Sequence, residues 1–168
     1  MPYQSHFKHA DDVIVHLDTI VPLLADPLLQ AKYAGFTTVA AVTVYELAIK
    51  EIFIEFGAKK HNVFGTFTES FFSRINGRIK YKAIKEDYVQ NYGDRYLKRF
   101  KKKIEIAKNK YFITNRRDIV NSYTNLILWR NEFAHEGTIK NTATYQEVVQ
   151  AYNDGKEVIR CLAETMIR

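Results

Sequence analysis

Residues 39–49 constrain the fold most strongly, because they place apolar side chains on nearly every side of a helix. They lie inside a longer predicted helix over residues 28–56, with Gly57 as its stop. A helix without a polar face has to be covered by other elements, so this one is expected to be central and buried. The only charged residue within the segment is Glu46.

The rest of the chain also repeats its apolar residues at a helical period. Further helices are predicted over residues 5–21, 64–75, 83–107 and 115–136, and from residue 144 onward. The helix over residues 83–107 is expected to have a weak point at residues 92–94. A short extended piece is possible around Ile79 and Tyr81. With only 7 Gly and 3 Pro, the chain does not resemble a turn-rich all-β protein. We therefore predict an all-α single domain over residues 1–168, a bundle of four to five main helices with short accessory elements.

Several helix ends carry recognisable signals. Thr114 or Asn115 is expected to cap the helix that ends at Gly137. Residues 144–147 form a capping-box pattern that opens the last helix, in which Gly155 is a weak point. Arg117, near the start of the preceding helix, is expected on the surface.

The charge balance suits an anionic partner such as a nucleic acid. The 25 Lys and Arg residues exceed the 19 Asp and Glu residues and give a formal charge of +6. A solvated basic surface accounts for the same number equally well. The densest positive patch contains Arg99, Lys101, Lys102 and Lys103, which we predict as an RNA-guiding surface, with a solvated helix face as the alternative.

Other sequence features exclude several classes of site and location. The single cysteine, Cys161, cannot form an internal disulfide or a cysteine metal cluster and is expected in the core. The histidines near the N-terminus lack the spacing of a zinc site, so no metal and no cofactor are predicted. Charges interrupt the longest apolar stretch, and no secretory signal is visible, so we expect a cytoplasmic protein without a membrane span.

Arg130, Asn131 and His135 are the candidate catalytic residues. Arg130 continues the apolar stripe of its helix and can hold a phosphate with a planar set of donors. His135 can transfer a proton near neutral pH. The two are five positions apart, about 140° around an ideal helix, so they do not strictly share a face. A structural role is the alternative, with Arg130 paired to a glutamate and His135 at a helix C-terminus.

Glu46 is the fourth candidate, because a carboxylate within an apolar stripe needs a partner. Arg130 is the expected partner, since the carboxylate would fix its guanidinium. A purely structural ion pair between two helices predicts the same contact.

These residues resemble the signature of a HEPN domain, the higher eukaryotes and prokaryotes nucleotide-binding superfamily. The chain is similar to small stand-alone prokaryotic HEPN nucleases, which carry an Arg, often followed by a polar residue such as Asn, and a His four to six residues later. Here the signature is Arg130, Asn131 and His135 within residues 128–137, and Glu46 matches an acidic residue on an earlier helix. The resemblance covers most of the chain, although residues 58–110 match only as generic helices.

The resemblance implies a metal-independent endoribonuclease that acts as a homodimer. The 2′-OH of the RNA would attack the adjacent phosphate, with His135 as general base or acid and Arg130 neutralising charge. Asn131 would position the phosphate or His135, and Glu46 would orient Arg130. The resemblance further implies a toxin or an anti-phage effector, restrained by an antitoxin or a sensor protein.

Two alternatives remain open at this point. The chain could be a non-catalytic HEPN module that binds nucleotide or RNA or serves in assembly. It could also be a helical interaction protein with no role in nucleic-acid binding.

Overall fold

The computed structural model describes residues 2–139 and 143–167, so residues 1, 140–142 and 168 of the predicted domain lie outside the described part. Within that part the regular secondary structure is entirely helical, and no strand occurs. The α-helices are α1 (Phe7–Ile20), α2 (Pro27–Lys60), α3 (Asn62–Phe72), α4 (Tyr81–Ala83), α5 (Asp94–Asn115), α6 (Ile119–Glu136) and α7 (Tyr145–Met166). The predicted all-α fold is confirmed.

Helix α2 lies at the centre of the molecule and contacts α1, α3, α6 and α7. Its Tyr45 is fully buried, with its ring stacked between those of Tyr123 on α6 and Tyr152 on α7, at centroid distances of 5.4 and 5.6 Å. Gly155 allows this approach, because a β-carbon there would collide with the Tyr45 side chain. The glycine predicted to weaken α7 therefore lies in an unbroken helix and makes room for a core ring.

One side of α2 departs from the prediction of a fully buried helix. Phe36, Val39 and Leu47 are 57%, 38% and 42% exposed, and Thr43 between them is exposed as well. These positions are three or four residues apart and therefore lie along one side of the helix. The helices of the described part of the chain leave this apolar stripe partly exposed.

Two helix boundaries near Gly57 differ from the predicted ones. Helix α2 continues through Gly57 to Lys60, since the missing side chain at Gly57 lets Thr68 of α3 pack directly against it. The chain turns at His61, whose Nδ1 accepts a hydrogen bond from the Val63 amide at 3.2 Å and caps α3.

Residues 73–93 differ most from the prediction. In place of a helix over residues 83–107, α4 passes into a π-helical turn, Ile84–Tyr88, and a 3₁₀ turn, Val89–Tyr92. The break lies at the predicted weak point, where Gly93 adopts a positive φ of 102°, and α5 begins only at Asp94 and extends to Asn115. The possible extended piece at Ile79 forms an irregular connection that pairs with no strand in the described part of the chain.

The N-terminal cap of α6 is also different from the predicted one. Asn115 belongs to α5, and Arg116 reverses the chain with a φ of 56°. The Asp118 carboxylate caps α6 by accepting from the amides of Val120 and Asn121 at 2.9 and 3.3 Å. The predicted capping box of α7 at Thr144 is confirmed.

Arg117 is not a simple surface residue, in contrast to the prediction. Its Nε and Nη2 donate to the two carboxylate oxygens of fully buried Asp154 at 2.8 and 3.0 Å. The hydroxyls of Tyr111 and Ser122 donate to the same carboxylate at 2.6 and 2.9 Å. This Asp154 cluster joins α5, α6 and α7 and satisfies the buried charge with several donors.

Candidate functional site

Arg130 lies on the core-facing side of α6, one turn beyond Leu126. Its side chain is half-buried, and its Nε is buried with no hydrogen-bond partner in the described part of the chain. Within residues 2–139 and 143–167, no carboxylate lies at ion-pair distance from this guanidinium. A buried donor without a partner is costly, so Arg130 has a hydrogen-bonding capacity that the described chain does not use.

The end of the Arg130 side chain lies against the backbone of a tight turn at Asn76 and Gly77. A β-carbon placed on Gly77 would be 3.3 Å from Nη2 and 3.7 Å from Nη1 of Arg130. Gly77 has a φ of 74°, a conformation that glycine adopts without steric cost. An Asn-Gly pair is typical of a turn, and this turn is also the surface on which the guanidinium rests.

Glu46 holds this turn and does not contact Arg130 directly. Its Oε2 accepts a hydrogen bond from the Gly77 amide at 2.6 Å, and its Oε1 pairs with Lys50 at 2.7 Å. The expected Glu46–Arg130 ion pair is therefore not formed, because the turn lies between the two side chains. The link from Glu46 to Arg130 runs through the Gly77 backbone.

Two tyrosines fix the chain on the far side of the turn. The Tyr88 hydroxyl donates to the Arg78 carbonyl, and the fully buried Tyr123 hydroxyl donates to the Ile79 carbonyl, both at 2.6 Å. Together with Glu46 they hold three successive residues of an otherwise irregular segment. A segment anchored in this way can keep a ligand-binding arginine in place.

Asn131 lines a cleft on the neighbouring side of α6. The cleft has a volume of about 400 Å³ and is bordered by Lys80, Lys82 and Leu128 as well as Asn131. The two lysines are exposed, and they come from the segment that follows the Gly77 turn. Sequence reasoning missed both, although their spacing around Tyr81 in a basic segment was a usable signal.

His135 is exposed in the last turn of α6. Gly137 ends the helix with a φ of 68°, and Lys32 of α2 donates to its carbonyl at 2.7 Å. Phe133 packs over Gly35, where a β-carbon would collide with its ring. The end of the helix is thus anchored to α2, while His135 points to a different side of α6 from Arg130, as the spacing of five residues predicts.

The predicted RNA-guiding patch is divided by its contacts. Lys103 pairs with Glu164 at 3.0 Å, and Arg99 donates to the Thr165 carbonyl at 3.4 Å, which ties both to α7. Lys101 and Lys102 are exposed. Only these two of the four have side chains open to a ligand, and RNA binding at the patch stays a prediction.

Three further findings concern the cysteine, the potential metal ligands and the membrane-spanning potential of the helices. Cys161 lies in the core as predicted, and burial raises the pKa of its thiol to about 11. No group of three or more potential metal ligands occurs in the described residues. Among the described helices, none combines the length and the apolar composition needed to span a bilayer.

The arrangement can bind an anion and transfer a proton. Arg130 offers unused donors beside a rigid backbone turn, Asn131 offers an amide in an adjacent basic cleft, and His135 offers an accessible imidazole. These are the groups that a phosphodiester substrate requires for recognition and for acid–base chemistry.

Comparison with known proteins identifies the family of the chain and agrees with its helical fold. A family model described as RiboL-PSP-HEPN matches residues 5–168. Neither the curated proteins nor the solved structures give a match. HEPN domains are helical, commonly bind RNA and dimerise, and are often ribonucleases. With a match over nearly its whole length, the chain belongs to the RiboL-PSP-HEPN family of HEPN domains.

Proposed function

We propose that the protein is an endoribonuclease that cleaves RNA without a metal ion, at a site composed of residues from two copies of the chain. The observation that carries the proposal is the state of Arg130. Its guanidinium is half-buried, its Nε has no partner in the described residues, and a glycine turn leaves backbone rather than a carboxylate beside it. A phosphate would supply the missing acceptors.

The proposed reaction is an internal transfer within the RNA. A histidine takes the proton from the 2′-OH, and the resulting oxygen attacks the adjacent phosphorus while the bond from phosphorus to the 5′ oxygen breaks. A second histidine returns a proton to the leaving oxygen. The products are a 2′,3′-cyclic phosphate and a 5′-OH. Arg130 stabilises the charge that develops on the phosphoryl oxygens, and Asn131 positions the phosphate.

A second copy of the chain is part of the proposal because one copy offers a single motif histidine. His135 also projects away from the side of α6 that carries Arg130. The partly exposed apolar stripe of α2 supports association, since its Phe36 contacts Phe133 of α6 at a ring-centroid distance of 5.2 Å. A copy bound along this stripe would bring two motif helices close together.

Glu46 acts in this proposal as a positioning residue. It accepts a hydrogen bond from the Gly77 amide and so holds the turn, and the turn supports the Arg130 guanidinium. The resemblance to HEPN nucleases further suggests a toxin or an anti-phage effector. Such an enzyme would need a cognate antitoxin or sensor protein, because an unrestrained ribonuclease harms its own cell.

The test is incubation of the purified protein with end-labelled RNA in the presence of EDTA. We expect cleavage products that end in a 2′,3′-cyclic phosphate, and loss of cleavage on His135→Ala. Light scattering on the same samples measures whether the active particle is a dimer. Absence of cleavage by the unmodified protein, with RNA binding retained, would favour the alternative of a non-catalytic binding or assembly module.

A further inference from the structure

Helix α3 carries a row of exposed apolar side chains that the catalytic proposal does not use. Val63, Phe67 and Phe71 are 72%, 66% and 45% exposed and are spaced by four residues, so they lie along one side of the helix. Exposed aromatic rings in a row are unusual on a monomer surface and indicate a binding site.

The ring of Phe71 has a fixed orientation. It makes edge-to-face contacts with Phe72 and Tyr88, at centroid distances of 5.1 and 6.2 Å. Phe72 and Tyr88 are themselves buried in the core. Phe71 therefore presents a pre-oriented aromatic surface to solvent, which lowers the entropy cost of stacking a flat ligand on it.

Phe67 and Phe71 border a groove that also contains two arginines. The groove has a volume of about 530 Å³ and is lined by Phe67, Phe71, Arg74, Arg78 and Asp87, among others. Both arginines are exposed. Asp87, the carboxylate in this groove, is exposed as well and can accept hydrogen bonds from amino groups of a bound ligand.

One wall of the groove belongs to the segment that supports Arg130. Arg78 directly follows Gly77, whose backbone supports the Arg130 guanidinium. The Tyr88 hydroxyl, which holds the Arg78 carbonyl, belongs to a residue that also lines the groove. The segment that supports Arg130 is therefore also one wall of the groove.

From this juxtaposition we infer that the α3 groove binds single-stranded RNA and delivers it to Arg130. Unpaired bases stack on Phe67 and Phe71, and phosphates bind to Arg74 and Arg78. Bases in a duplex are already stacked on one another and cannot use such rings, so the groove selects unpaired segments. The inference rests on the proposed ribonuclease function and adds its substrate class.

The experiment measures binding in a His135→Ala background, in which the RNA is not consumed. The probe is a fluorescently labelled oligoadenylate, used single-stranded and annealed to oligouridylate, and the readout is anisotropy. We expect the Phe67→Leu/Phe71→Leu double variant to bind the single strand about tenfold more weakly. Leucine keeps the apolar volume, so the loss reports on stacking. Phe112→Leu, at an exposed ring on α5, is the matched control and should bind normally.

A second pair of variants tests the binding of phosphates independently. Arg74→Gln/Arg78→Gln should lower the slope of log K against log salt by about 0.7 for each phosphate that the variant no longer neutralises. Lys110→Gln, an exposed cation on α5, serves as the control. Unchanged slopes, unchanged affinity of the double leucine variant, or equally tight binding of the duplex would each overturn the inference.

The outcomes separate this inference from the proposed function. If the unmodified protein cleaves RNA while the groove variants bind as tightly as their parent, the groove inference fails and the nuclease proposal stands. If the unmodified protein cleaves no RNA while the groove variants lose binding, the nuclease proposal fails and the groove remains an RNA-binding surface. A change from dimer to monomer in the leucine variant would assign the groove to contact between copies and overturn the inference.

Discussion

Two arginines near opposite ends of α6 have contrasting surroundings. Arg117 binds the buried Asp154 carboxylate with two hydrogen bonds, and Tyr111 and Ser122 complete the network. Arg130 rests on a glycine turn, with its Nε unpartnered among the described residues. A complete network contributes to folding, whereas an incomplete one is available for a ligand. The difference therefore distinguishes a structural arginine from a candidate catalytic one, although both belong to the same part of the sequence.

The largest expected effect is on RNA cleavage. Arg130→Met keeps the aliphatic part of the side chain and removes the donors, so we expect kcat to fall about 10²- to 10³-fold. Arg117→Met removes a guanidinium from the Asp154 cluster and should leave turnover per folded molecule unchanged. Cleavage of end-labelled RNA, normalised to the folded fraction, measures both. Equal losses in the two variants would show that the contrast has no catalytic meaning.

The same two variants should differ in the opposite direction in stability, with Arg117→Met losing more unfolding free energy than Arg130→Met. Arg117→Met leaves the Asp154 carboxylate buried without its cation and should cost about 3 kcal/mol of unfolding free energy. Arg130→Met removes an unsatisfied donor and should change that free energy by less than about 1 kcal/mol. Urea denaturation followed by circular dichroism gives both values. A marked loss of stability in the Arg130 variant would support a structural role for that residue.

Gly77 tests whether the turn positions Arg130. Gly77→Ala places a β-carbon 3.3 Å from Nη2 at a φ of 74°, so we expect about 1–2 kcal/mol of destabilisation and about a tenfold loss of kcat. Gly93→Ala also adds a side chain at a positive φ, but no atom lies within 4 Å of the added carbon. It should lose stability and retain cleavage. Loss of cleavage in both variants would attribute the effect to general instability.

Glu46 should act through hydrogen bonding to the turn rather than through its charge. Glu46→Gln keeps an acceptor for the Gly77 amide, whereas Glu46→Ala leaves that amide without one. We expect the alanine variant to lose about fivefold in kcat and the glutamine variant to recover most of it. Steady-state kinetics with a short RNA separates the effect on kcat from that on KM. If glutamine fails to rescue, the carboxylate charge itself is required.

The smallest effect concerns the stability of the Asp154 cluster at alkaline pH. Burial, followed by the hydrogen bond to Asp154, raises the pKa of Tyr111 above its usual value of about 10. The neutral Tyr111 hydroxyl therefore stabilises the folded state fully below the unfolded-state pKa of tyrosine. This stabilisation is lost as the pH rises through the folded-state pKa of Tyr111. Tyr111→Phe should therefore show a shallower decline of unfolding free energy above about pH 10. An unchanged slope would mean that the hydroxyl does not titrate with unfolding.

Features that depend on neighbouring residues could be predicted from the sequence. The capping box at Thr144 forms as predicted, because its hydrogen bonds join residues three positions apart. The cap predicted at Thr114 or Asn115 is wrong, because α5 extends through both residues and Asp118 caps α6 instead. The prediction for residues 73–93 is poor, since distant side chains such as those of Glu46 and Tyr123 hold part of their backbone.

The sequence by itself determined the helical class, the central position of α2 and the identity of the motif residues, because apolar periodicity and side-chain chemistry are local properties. It could not determine that Glu46 binds the Gly77 amide instead of Arg130, or that Arg117 closes a network around Asp154. Those contacts join residues 31 and 37 positions apart, and their geometry exists only once the helices have packed. Tertiary packing alone decided which arginine is satisfied and which has a buried donor without a partner among the described residues.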